Sequence, residues 1–193
     1  FGPILPNLVM PVARLYMRKM VGHLVLDAES DALNKILDKA AESGEQLNLN
    51  LLGEAVLGEE EAKSRAERTL KLIQNPRVTY VSVKASSMVA QLNHWDIDGS
   101  VERLKERLRP LYQAAADRTD KVFINMDMEE YHDLHLTIRL FKELLSEPEF
   151  LTLDAGIVLQ AYLPDTFDAL KDVADFAKER VAKGGGKVKV RIV

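Results

Sequence analysis

The chain has 193 residues, 47% of them hydrophobic, and a formal net charge of −4. That length supports one globular domain with a sizeable core, and the mild acidity gives no electrostatic footprint for nucleic acid or an anionic membrane. Without a single cysteine, disulfides, thiolate metal ligands and a cysteine nucleophile are excluded.

Arg14, Arg18 and Lys19 interrupt the partly apolar start, and Pro3, Pro6 and Pro11 break it. It therefore holds neither an uninterrupted membrane span nor the short apolar core of a signal peptide, which suits a cytoplasmic chain. Apolar spacing predicts a helix over 8–26 and a second from Asp27 to Ala41, with Asp27 or Ser30 as its N-cap. The alternation Leu47-Asn48-Leu49-Asn50-Leu51-Leu52 predicts a first strand closing on Gly53-Glu54. Residues 59–74 read as a helix with Ala62, Ala66, Leu70 and Ile73 inward, an acidic start at Glu59-Glu60-Glu61 and a stop at Asn75-Pro76. A second strand, Val78 to Lys84, leads into a loop with His94 and Trp95. A helix from Ser100 to Ala116 follows, with a kink or break expected at Pro110. The third strand is Lys121 to Asp127 and its helix Glu129 to Ser146; the fourth is Ala155 to Tyr162 and its helix Thr166 to Ala182. Lys183-Gly184-Gly185-Gly186-Lys187 turns the chain into a fifth strand through Arg191.

Strands alternating with helices build parallel sheets, because a crossover is needed between parallel neighbours. The expected fold is therefore α/β: a (β/α)8 TIM-type barrel, truncated after about five strands, with N-terminal helices over 1–46 and the first part of the barrel over 47–193. A start at Phe1 rather than Met, and a stop two residues past Arg191, also read as truncation.

Four of the apolar runs end on a polar side chain able to do chemistry: Val81-Ser82-Val83-Lys84, Phe123-Ile124-Asn125-Met126-Asp127, Gly156-Ile157-Val158-Leu159-Gln160 and Val188-Lys189-Val190-Arg191. In a (β/α) barrel such positions converge on the C-terminal face, where active sites sit. Lys84, Asp127, Gln160 and Arg191 are thus expected in one pocket. Each has a bland reading alone: a solvated lysine, a helix N-cap for Asp127, an exposed terminus for Arg191. Gln160 is the sharpest, since a buried apolar strand has no need of an amide that offers one donor and one acceptor group. His132 and His135 stand three apart beside Glu129 and Glu130, but a solvated helix face outweighs a metal pair there, and no metal is expected. The triple-glycine turn lacks the spacing of a phosphate loop.

The same residues carry a family resemblance. Leu51-Leu52-Gly53-Glu54-Ala55-Val56-Leu57-Gly58, Val81-Ser82-Val83-Lys84, Asn125-Met126-Asp127-Met128-Glu129-Glu130, Ala155-Gly156-Ile157-Val158-Leu159-Gln160-Ala161-Tyr162-Leu163-Pro164 and Val188-Lys189-Val190-Arg191-Ile192-Val193 resemble the proline dehydrogenase domain, monofunctional or as the first catalytic part of the bifunctional proline utilisation flavoprotein. Met17-Arg18-Lys19-Met20-Val21-Gly22-His23-Leu24 resembles it more weakly. The resemblance implies a barrel that binds FAD at its strand ends and oxidises L-proline to Δ1-pyrroline-5-carboxylate in proline catabolism. It also implies electron transfer to a quinone acceptor, and it allows peripheral association of the full-length protein with the inner membrane. Carried over, Lys84 pairs with the proline carboxylate, Arg191 sits by the flavin N5, Gln160 bonds the pyrimidine edge of the ring, Met128 contacts the flavin and Asp127 lines the site.

In the family the strand carrying Arg191 continues into a Lys-Gly-Ala stretch, three more strands and a helix whose arginine pair clamps the substrate, one of them partnering Glu54. None of these is in this sequence. An open sheet edge then predicts self-association of the fragment, and two alternatives stand beside the enzyme: a non-catalytic half-barrel serving assembly or regulation, and an unrelated TIM-barrel enzyme.

Overall fold

The computed structural model describes residues 6–21, 31–51 and 56–193. The chain divides into two units, Phe1–Gly44 and Glu45–Val193. In the first, α1 (Pro6–Val21) runs through Pro11, and α2 (Asp31–Glu42) buries Leu33, Leu37 and Ala40. Leu33 and Leu37 stand four apart and Ala40 three further on, the spacing of one helical face. The expected caps Asp27 and Ser30 lie outside the described residues. Among those residues, no helix is long and apolar enough to cross a membrane.

The second unit is a five-stranded parallel sheet in the order β1 to β5, with each strand beside its successor in sequence. The strands are β1 (Leu49–Asn50), β2 (Tyr80–Lys84), β3 (Phe123–Asp127), β4 (Ala155–Leu159) and β5 (Val188–Ile192). Helices α3 (Glu59–Gln74), α4 (Ile97–Asp117), α5 (Leu134–Ser146) and α6 (Thr166–Ala182) fill the four crossovers. Each helix packs on the next, so strand order and helix order follow one arc. This is part of a TIM-type barrel wall, as the sequence predicts.

Alternation divides the sheet into two faces. Val81, Val83, Ile124, Met126, Ile157 and Leu159 are all at most 2% exposed and stand every second residue along their strands. The other set is Tyr80, Ser82 and Lys84 on β2 and Phe123, Asn125 and Asp127 on β3, paired residue for residue. So β2 and β3 are not apolar on both faces. The helices add Leu104, Leu108, Leu111, Leu140, Phe141 and Leu144, each nearly or fully buried.

Two arginines tie the N-terminal ends of the strands. Arg180, 3% exposed, donates to Gly186 O at 3.1 Å, Phe150 O at 2.7 Å, Leu153 O at 2.8 Å and Leu145 O. Arg118 donates to Ile73 O, Asn75 O and Val78 O at 2.7–2.8 Å and to Pro76 O at 3.0 Å. Carbonyls left over at helix ends and turns need such donors, and a guanidinium supplies several in one plane.

Several elements differ in their bounds from the sequence reading, β1 being only Leu49–Asn50 and β2 starting at Tyr80; three of the differences shape the site and its surroundings. α4 is continuous through Pro110 rather than broken there, and it starts three residues early because Asp96 caps it, accepting from Gly99 N–H at 2.9 Å. α5 begins at Leu134, not Glu129, after a 3-10 turn, Tyr131–Asp133. The physical reason is that Glu129 is held at both ends: Lys84 and Ser86 take its carboxylate and Gln160 its carbonyl, so Glu130 stays extended. β4 ends at Leu159, not Tyr162. The Gln160 carbonyl turns away to accept from Leu163 N–H at 3.1 Å and Thr166 Oγ1 at 2.5 Å.

Candidate active site at the strand ends

Lys84 and Asp127 are register partners at the last positions of β2 and β3. Gln160 follows β4 directly, and Arg191 is the next-to-last residue of β5. All four therefore sit at the C-terminal end of the parallel sheet, in strand order, as the alternation of strand and helix predicts.

Asp127 is the hub. Its Oδ1 accepts from Asn125 Nδ2 at 2.6 Å, Ser82 Oγ at 3.2 Å and Arg191 Nη2 at 3.2 Å, and its Oδ2 accepts from Asn50 Nδ2 at 3.2 Å. Side chains of β1, β2, β3 and β5 thus meet on one carboxylate, which bends the polar ends of the sheet towards each other. Behind it, Asn48 donates to Ser82 Oγ at 2.9 Å and Asn125 Nδ2 to the same oxygen at 3.3 Å. Burial pushes the Asp127 carboxyl above its ordinary value, against the pull of Arg191, the hydrogen bonds from Ser82 and Asn125, and Lys84. The sequence allowed Asp127 to be a helix N-cap; no helix starts there, and its carboxylate serves these four side chains instead.

A second cluster lies beside it. Lys84 is paired with Glu129, which also accepts from Ser86 Oγ at 3.3 Å. Gln160 donates through Nε2 to Glu129 O at 2.9 Å, while its Oε1 is buried without a hydrogen-bond partner. A buried, unpartnered carbonyl is costly, and among the described residues no donor reaches this one. Met128, 7% exposed, lies between the hub and Glu129. Gly156 makes room in the wall: a Cβ there would stand 2.6 Å from Asn125 Oδ1 and 2.9 Å from Phe123 Cε1.

Asn50, Ser82, Ser86, Asn125 and Glu129 belong to this site and were not singled out in the sequence. The signal was present for two of them: Ser82 and Asn125 stand two before Lys84 and Asp127, hence on the same face. Glu54 lies outside the described residues. A cleft of about 400 Å3 between α3 and α4, floored by Ala66, Leu70 and Leu111, includes none of the strand-end residues. His135 does not meet His132 at a common point; His132 lies instead against His94 and Asp133.

The chain that carries this site is similar in sequence and fold to known proteins. The chain is 29% identical over 157 residues to the bifunctional protein PutA of Klebsiella aerogenes and to that of Escherichia coli K12, matching 74% of this chain and 12% of each relative. It superimposes on proline utilization A from Corynebacterium freiburgense with a TM-score of 0.88 and 61% identity, over 100% of this chain and 20% of that one. For proline utilization A from Bdellovibrio bacteriovorus inactivated by N-propargylglycine, the TM-score is 0.72 and the identity 32%, over 82% and 18% of the two chains. The chain therefore spans about one-eighth of the length of those curated relatives. The profile of the family described as Proline dehydrogenase matches residues 32–193, and the chain belongs to that family.

Proposed function

We propose that this chain supplies one wall of an active site that oxidises L-proline to Δ1-pyrroline-5-carboxylate in proline catabolism, with FAD as cofactor and a quinone as final acceptor. The observation that carries the reading is the convergence of Lys84, Asp127, Arg191 and the unpaired Gln160 oxygen at one end of the sheet. Oxidation of the ring takes a hydride from the carbon next to nitrogen and a proton from the nitrogen, leaving a C=N bond. When bound, FAD supplies the two-electron acceptor.

The residues present fit such a group. Gln160 Oε1 is a buried acceptor without a donor, which suits an N–H on the edge of a heterocycle. Met128, the residue after Asp127, would contribute an apolar, polarisable contact to the flavin. Arg191 is a permanent cation, held by Asp127 at 3.2 Å yet exposed enough to reach a ligand; it would stabilise negative charge gained on reduction. Lys84 would exchange Glu129 for the substrate carboxylate, since both are carboxylates on one ammonium. Asp127 keeps Arg191 and Asn50 in place, so it orients the cation and lines the site.

Peripheral attachment to the inner membrane would bring the quinone within reach of this face. The reading is tested in the full-length protein with Arg191→Met. Loss of a charge-assisted hydrogen bond is worth roughly 1.5–3 kcal/mol. The expected result is a lower flavin reduction potential and slower reduction by proline; unchanged values would remove Arg191 from the site.

A further inference from the structure

We propose that His94, His132 and Asp133 form a binding site for a divalent transition-metal ion of the zinc type, clamping the loop after β2 to the turn after β3. His94 Nε2 lies 2.7 Å from Asp133 Oδ1, and His132 Nε2 lies 3.8 Å from the same oxygen. One ligand atom from each residue falls within 4.8 Å of the others. The two imidazoles meet edge to face rather than stacked, with centroids 4.4 Å apart at 86°. Glu130 Oε2 stands 3.5 Å from His132 Nε2 but is not one of the three residues whose ligand atoms share a point.

The Asp133 side chain is 7% exposed, and it stands at the N-cap position of α5 without making a cap hydrogen bond. Among the described residues no lysine or arginine pairs with it; its partners are the two histidines. A buried carboxyl group needs partners for its oxygens, and a metal ion is one that both histidines could share with it. Two nitrogens and one carboxylate oxygen are a common donor set for zinc, with bonds of about 2.0–2.2 Å and a remaining position open to water. In a tetrahedral site such donors stand roughly 3.3 Å apart. The pair now at 2.7 Å would open by a few tenths of an ångström and the longer separation would close.

The two halves of the site are far apart in sequence, which is why local spacing pointed to His132 with His135 instead. A bound ion would pin the loop that follows Lys84 to the turn that follows Glu129, at the end of the sheet where the polar side chains converge.

The test titrates Zn2+ alone into the full chain after chelator treatment, by calorimetry and by thermal unfolding. One ion per chain and a higher Tm with Zn2+ are expected. Affinity should fall at least tenfold in His94→Ala and in Asp133→Asn and stay unchanged in His135→Ala. Because His132 is largely exposed, His132→Gln separates binding from folding: it should keep the metal-free Tm and lose the Zn2+ response. Absence of binding, or binding that survives His94→Ala and His132→Gln, would reduce the cluster to a histidine–aspartate hydrogen bond and overturn the proposal.

Discussion

Arg180 and Arg191 stand at opposite ends of the same sheet and show two uses of one side chain. Arg180 is buried, and its guanidinium is spent on four backbone carbonyls of its own fold; burial pulls its pKa down, yet those bonds hold the turns before β4 and β5. Arg191 is exposed and meets one carboxylate, itself shared among four donors. At the N-terminal end the two guanidinium groups, Arg118 and Arg180, are answered by backbone carbonyls of the chain. At the C-terminal end the chain keeps a raised carboxyl and two buried amide oxygens, of Asn125 and Gln160, without partners among the described residues. Barrels divide stability and function between their two ends in this way, and a few residues suffice to show it.

The largest effect is expected at the N-terminal end. Arg180→Met leaves several carbonyls unpaired, each costing about 1–3 kcal/mol, so denaturant unfolding should show a loss of at least about 3 kcal/mol. An unchanged midpoint would mean that water replaces the guanidinium. Gly156→Ala comes next. The added Cβ meets Asn125 Oδ1 and the Phe123 ring at under 3 Å, an overpacking that typically costs roughly 1–3 kcal/mol. It should also displace Asn125 from Asp127 and lower activity beyond what stability explains. The smallest change in stability is expected at the C-terminal end: Arg191→Met should cost about 1 kcal/mol or less, because the guanidinium is largely in water and Asp127 keeps its hydrogen bonds from Ser82, Asn125 and Asn50. A loss of several kcal/mol would make Arg191 a structural residue like Arg180 and erase the contrast.

Much of this contrast was legible in the sequence. Apolar runs, each punctuated by a helix, gave the parallel sheet and its order, and their terminal polar residues gave one end of it. What escaped were interactions between segments distant in sequence. Glu129 reads as the first residue of a helix, and only the register of β2 on β3 brings Lys84 to it. Arg118 and Arg180 drew no attention in the sequence, since the carbonyls they collect come from turns that local pattern does not place side by side. His94 and His132 join for the same reason. Pro110 misled in the other direction: a proline in a helix signals a break, whereas packing of Leu104, Leu108 and Leu111 on the core holds α4 together across it.

The central claim is that the polar strand ends serve chemistry at some expense of stability, and Asp127→Asn tests it most directly. The folded protein holds the Asp127 carboxyl above its ordinary value, so its ionised form is disfavoured by folding. Proton binding there adds stability below the unfolded-state value, and that stability is lost as pH rises through the folded-state value. A neutral amide escapes the loss. The account predicts that the variant unfolds at a higher temperature than the parent at pH 7 and that the gap closes on acidification. In the full-length protein it also predicts that reduction by proline falls roughly tenfold or more, the scale on which a misplaced charge counts in catalysis. A variant less stable at pH 7 that oxidises proline at the parent rate would contradict it.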